Sequence, residues 1–415
     1  MARSICSGLT FWWVFTLLTS ATSLTAQTSF QPSFQSSILS VPCAYQIIIG
    51  DFNSDKVPDI AAWCLSQKEV YVLLGNGDGT YKPYVMTSFA SADINSDSPS
   101  DYQMVGADVN GDGKTDLVYS GFGPRITIKN PDGTGYSGPS STVEALLAIG
   151  DGTFAPPNTV ATNLTGYVVG AADLNGDGIP DIVLDGGIDF DGIEVMFGKG
   201  DGTFSSTMSL GLPSGYFAVH FDAAADFNGD GKPDILVQKW DNVQLTKNTE
   251  PFWVLANQGS GVFNAPVLEF TQIARVSRTI VLADFNGDGK PDIGVLAPDP
   301  SSGRAFRVYF GNGDGTFQTP TNQLGTFDHP LFALDLNGDG KADMVQKTDS
   351  GDLIFYLSNG DGTFQTLPAM SLLAPFQPTG AADLNGDGKP DIVGFSTAGL
   401  GVLINTTILA STTGA

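Results

Sequence analysis

Residues 383–393 read DLNGDGKPDIV. Asp at positions 1, 5 and 9 and Asn at position 3 alternate with small residues, and a β-rich run follows. The pattern Asp-x-Asn-x-Asp-x-x-x-Asp also begins at Asp51 (DFNSDKVPD), Asp108 (DVNGDGKTD), Asp173 (DLNGDGIPD), Asp226 and Asp284 (both DFNGDGKPD) and Asp335 (DLNGDGKAD). These are seven well-spaced copies, and 332 residues over six intervals give a mean period of about 55. Solenoid repeats of roughly 20–45 residues are shorter, whereas four-strand propeller blades run at about 40–50 and tolerate insertions. The period predicts blades.

Each repeat has one grammar. An apolar segment (Gln46 to Gly50, Phe332 to Leu334) enters the acidic loop, and a β-rich run leaves it, as in DIVLD from Asp181 or DILVQ from Asp234. A third run such as EVYVLLG from Glu69 ends in a Gly-Asp-Gly turn, and a fourth follows, as in YKPYV after Thr80. Short β-rich runs broken by Asn-Gly and Asp-Gly pairs are successive hairpins. The turns stand at Gly75, Gly150, Gly198, Gly311 and Asn359, with a worn copy GSGVF at Gly259. They read as hairpin turns using Gly for positive φ rather than as further metal sites. The seventh repeat stops at GVLINTT without this turn, and TSFQPSFQ (28–35) resembles the stretch after the turn elsewhere, such as TFQTLPA from Thr363. The expected fold is therefore all-β: a seven-bladed β-propeller of four-stranded antiparallel blades, its ring closed by an N-terminal strand.

Oxygens at positions 1, 3, 5 and 9 and the carbonyl at 7 would surround a cation, with Gly at 6 for the sharp turn. Oxygen-only donors suit Ca²⁺, whereas zinc would want His or Cys, and His220 and His329 fall outside the loops. The expected ligands are Asp51, Asn53, Asp55, Val57 and Asp59; Asp108, Asn110, Asp112, Lys114 and Asp116; Asp173, Asn175, Asp177, Ile179 and Asp181; Asp226, Asn228, Asp230, Lys232 and Asp234. The last three sets are Asp284, Asn286, Asp288, Lys290 and Asp292; Asp335, Asn337, Asp339, Lys341 and Asp343; Asp383, Asn385, Asp387, Lys389 and Asp391, making about seven Ca²⁺ sites. These loops hold 21 of the 44 acidic residues, and clustering carboxylates without a counter-ion is costly. Lys56 replaces Gly at position 6 of the first loop, which predicts strain or weaker binding there. An eighth match, DINSDSPSD from Asp93, ends too close to Asp108 to be a blade, and is either an inserted calcium loop or a decayed duplicate.

DLNGDGKPDIV with a LLGNGDGTF-type turn, seven times over, resembles the FG-GAP/VCBS repeats of integrin-alpha-like seven-bladed propellers, over about residues 28–407. The resemblance implies calcium in the hairpin between the first two strands of each blade. It does not imply one function, because relatives include adhesion-receptor ectodomains, fungal lectins and non-catalytic parts of secreted enzymes.

The 415-residue chain carries a formal charge of −25, which excludes nucleic acid and anionic membranes as partners. Residues 1–26 read as a secretory signal peptide, with an apolar run about half the ~20 residues a span requires. The domain reading is signal peptide 1–26, propeller 27–408 and tail 409–415, in a secreted or extracytoplasmic monomer without membrane insertion after cleavage. The mature chain keeps Cys43 and Cys64, flanking the first acidic loop; export permits a disulfide, and two buried free thiols are the alternative.

Catalytic signatures are sparse. Gly-x-Ser-x-Gly, His-Glu-x-x-His and Walker motifs are absent, and GTGYSG from Gly133 sits in a loop-like insertion, about Ser120 to Thr142. The expectation is no enzyme, but a calcium-dependent extracellular binding or adhesion module for protein or glycan, with longer loops on a rigid ring for recognition. Trp240, Trp253, Tyr136 and Phe190 are candidate sugar-stacking surfaces, set against ordinary core packing. The alternatives are a carbohydrate-active lyase or hydrolase on the same scaffold, or a passive structural unit.

Overall fold

A computed structural model of the chain describes residues 30, 32–64, 66–89, 103–129, 135–164, 166–185, 192–210, 219–239, 249–264, 267–273, 280–299, 303–320, 331–372, 375–397 and 399–407. The expected signal peptide, the Asp93–Asp101 motif and the C-terminal tail lie outside these residues. Every regular element described is a strand, and among the described residues no helix is long and apolar enough to cross a membrane.

The strands form seven antiparallel sheets in sequence order, apart from one short hairpin. Blade 1 runs Gln46–Gly50, Asp59–Cys64, Glu69–Leu73 and Val85–Ser88. Blades 2, 3, 4 and 6 repeat the meander from Met104, Tyr167, Val219 and Leu331, and blade 5 has three described strands from Ile280. Second strands such as DIAAWC and DIVLD are continuous apolar runs buried along their length, as strands covered on both faces must be.

What covers them is the neighbouring blade. Among the described residues the apolar core divides into seven clusters, each shared by two successive blades. Phe52 and Trp63 of blade 1 meet Leu117 and Tyr119 of blade 2. Ile60 and Leu73 on the other face of blade 1 meet Val393 and Val402 of blade 7, so the sheets close into a ring.

Blade 7 consists of Phe376–Ala382, Asp391–Ser396 and Gly399–Asn405, and its outer strand is Phe34–Leu39, paired from Phe34 opposite Asn405 to Leu39 opposite Leu400. The N-terminal segment thus closes the ring as expected, but the strand lies later than residues 28–35. Phe34 sets this register by stacking on Phe355 of blade 6 at 5.5 Å, while Ser33 exchanges hydrogen bonds with Thr406 and Thr407. Just downstream, Cys43 and Cys64 form a disulfide, with Cα atoms 5.4 Å apart, tying the closing segment to blade 1.

The insertion in repeat 2 is not a loop. Its backbone continues the blade as two long strands, Asp116–Lys129 and Gly135–Leu146, paired out to Lys129 opposite Gly135.

Candidate metal centres

Every acidic loop joins the first strand of a blade to the second, so all seven lie on one face of the ring. Blade 3 shows the local build. Asp173 Oδ1 accepts the amides of Gly176 and Asp177 at 2.7 and 3.1 Å, and its Oδ2 accepts Gly178 N–H at 2.8 Å. Asn175 Oδ1 accepts Asp177 N–H, and Asp177 Oδ1 accepts Ile179 N–H, each at 2.8 Å. This winding needs positive φ at positions 4 and 6, supplied by Gly176 and Gly178 at 82° and 86°. In the first loop the same places are held by Ser54 and Lys56 at 67° and 66°, so the expected strain falls on two side chains rather than one.

Position 2 points the other way. Phe52, Val109, Leu174, Phe227, Phe285, Leu336 and Leu384 are all buried. Where the next blade has a Gly-Asp-Gly turn they meet the aromatic residue that ends it: Phe52 lies edge-on to Phe154 at 5.8 Å, and Phe227 to Phe317 at 5.7 Å. That turn also docks its backbone on the loop, with Gly202 N–H donating to Val109 O, Gly315 N–H to Phe227 O and, across the closure, Gly79 N–H to Leu384 O. Within the turn, Asp78 Oδ1 accepts both the amide and hydroxyl of Thr80, consistent with the hairpin role expected for it.

The Asp at position 9 has a role that the sequence reading missed. It is fully buried in every loop. Asp181 Oδ2 accepts the amide of position 2, Leu174, at 2.8 Å, and its Oδ1 accepts Gly198 N–H at the turn of the same blade at 2.9 Å. The six sister carboxylates repeat both bonds, down to Asp391 with Leu384 and Asn405, although blade 7 has no Gly-Asp-Gly turn. The residue is a strut between loop and turn. A fixed Asp in a repeat that had lost its turn was the available signal.

Electrostatics load these sites. Burial pushes Asp59, Asp116, Asp181, Asp234 and Asp391 up to about 6, Asp292 to about 7 and Asp343 to about 8. The two accepted amides oppose the rise, while the like charges at positions 1 and 5 add to it. In five loops a lysine at position 7 offsets part of the charge: Lys114, Lys232, Lys290, Lys341 and Lys389 reach the position-5 carboxylates at 2.5, 2.8, 3.6, 2.9 and 3.0 Å. Val57 and Ile179 stand there in blades 1 and 3.

Among the described residues, three or more His, Cys, Asp or Glu side chains nowhere converge in a metal-holding group. The loops instead mix two outward carboxylates with an amide oxygen and backbone carbonyls. Asp173 Oδ2, Asn175 Oδ1 and Asp177 Oδ1 each accept one amide and keep a lone pair, whereas Asp173 Oδ1 accepts two; the set is oxygen-only, so it fits a hard cation such as Ca²⁺.

The proposed stacking residues fare differently. Trp253 is buried between blades 3 and 4 and offers no surface. Trp240, Phe190 and His329 lie outside the described residues, as do the side chains of Tyr136 and His220.

The FG-GAP-like repeat profile matches residues 51–119, 186–237, 284–346 and 335–394. Cartilage acidic protein 1 of Xenopus tropicalis is 31% identical over 114 residues, which are 26% of this chain and 17% of that protein. Among solved structures, an Agrocybe aegerita lectin that recognises non-reducing terminal N-acetylglucosamine superposes with a TM-score of 0.58 at 23% identity, covering 78% of this chain and 79% of its own. A PL25 polysaccharide lyase, an ulvan lyase, superposes with a TM-score of 0.53 at 12% identity, covering 86% and 91%. At such identities these likenesses speak to the fold alone.

Proposed function

This chain belongs to the FG-GAP-like repeat family, and from that membership we propose that it is a secreted calcium-binding propeller serving as an extracellular binding or adhesion module for protein or glycan. The supporting observation is the acidic face: seven loops of one winding, each strapped by a buried Asp to its own blade. The residues that would hold calcium are the side chains at positions 1, 3 and 5, the carbonyl at 7 and the remaining lone pairs of position 9. When bound, the ion supplies positive charge among clustered carboxylates and cross-links the turn. The chain's own residues do the rest. Position 2 anchors each loop in the core, and the next blade's turn carries that order around the ring. A face held this rigidly presents its connecting segments to a partner without a large ordering cost. The disulfide between Cys43 and Cys64 is compatible with an oxidising compartment.

Calorimetry on chelator-treated protein tests the metal, with several calcium equivalents per chain expected. A glycan array and a panel of extracellular proteins, each with and without EGTA, test the module. Turnover of a polysaccharide, abolished by replacing an Asp outside the loops, would replace this reading with the enzymatic one.

A further inference from the structure

The seven loops are not equivalent, and the difference lies at position 7. Five carry a lysine whose ammonium lies 2.5–3.6 Å from the position-5 carboxylate. Blade 1 lacks that lysine but places Ser54 and Lys56 in the left-handed region, with a cationic side chain in the turn itself. The loop of blade 3 alone combines three Asp, two glycines at positive φ and no lysine within its nine residues. Resting on the calcium reading above, we propose that the loop Asp173–Asp181 is the tightest calcium site of the ring and fills first, and that the residue at position 7 sets the rank of the others.

The physical ground is charge. An ammonium held on a ligand carboxylate repels an incoming divalent cation and competes for the oxygen. For a unit charge about 6 Å from the ion in a water-like dielectric, the penalty is about tenfold in affinity. Ile179 pays none of it. Its side chain lies against the turn glycines, with Cδ1 2.9 Å from where a Cβ on Gly200 would stand. Lys114 and Lys232 take the same place in their blades, against Gly150 and Gly259. A lysine at 179 therefore has a packing precedent. The adjoining turn does carry Lys199, whose charge acts on Asp201 of that turn.

The test is calcium binding to the full chain, followed by native mass spectrometry and by competition with a chromophoric chelator. Wild type should take up one ion at lower free calcium than the rest. Ile179→Lys should weaken that first step about tenfold, and Asp173→Asn should abolish it while later ions still bind. Melting in calcium-free buffer should be the same for Ile179→Lys as for wild type. A first step that moves less than twofold in Ile179→Lys, in a protein that still binds several ions, overturns the ranking and leaves the calcium reading standing. A wild type that binds no calcium overturns the reading itself, and the ranking with it.

Discussion

Asp181 and its six counterparts concentrate the residue-scale physics. A carboxylate with no exposure accepts one amide from its own loop and one from the turn 17 residues on. Asp181→Ala would leave both amides buried and unpaired, at a cost of about 2–4 kcal/mol. Urea denaturation should show that loss in chelator as well as in calcium, because the strut is independent of the ion; a loss seen only with calcium would make the residue a ligand alone. The raised carboxylates also set a sign. Their folded pKa, about 6 to about 8, lies above the ordinary aspartate value of 3.8, so the folded chain binds more protons than the unfolded one between these values. That stability is fully present below pH ~4 and is lost as pH rises through ~8. The melting temperature of calcium-free protein should therefore fall across this window, and saturating calcium should flatten the slope.

At the scale of elements, the Gly-Asp-Gly turn works between blades as well as within one. Its aromatic residue fills the gap above position 2 of the preceding blade, and its amide caps that blade's loop. The hairpin itself was legible from Gly spacing; the docking was not, because its partner, as Phe52 is for Phe154 and Phe227 for Phe317, lies about a hundred residues away and belongs to another sheet. The closing strand shows the same division. Its existence followed from a repeat short of one strand, but its register depends on where Phe34 meets Phe355. The disulfide pins this segment with a sequence separation of 21. Replacing Cys43 and Cys64 by Ser should cost about 3 kcal/mol in the loop-entropy account, read as a lower denaturation midpoint with the fold retained in calcium.

On the scale of the whole molecule, seven shared apolar clusters mean that no blade buries its faces alone. Stability is then collective, and calcium, on the proposed reading, would act on all of it at once. With Kd and free calcium both about 1 mM, each site adds RT ln 2, about 0.4 kcal/mol, or about 3 kcal/mol over seven independent sites. Chelation should lower the melting temperature by a few degrees in a single transition. An unmoved melting point would remove calcium from the account of this fold.

The sequence by itself determined the blade number, the all-β class and the place of the acidic loops, because those are local: a spacing of Asp and Gly repeats wherever the same turn repeats. Only the tertiary structure decided that position 9 is a strut, that the insertion of repeat 2 is a strand pair and that Trp253 is core. Each of these depends on which surfaces meet when the ring closes, and a one-dimensional pattern does not record contacts between segments tens of residues apart.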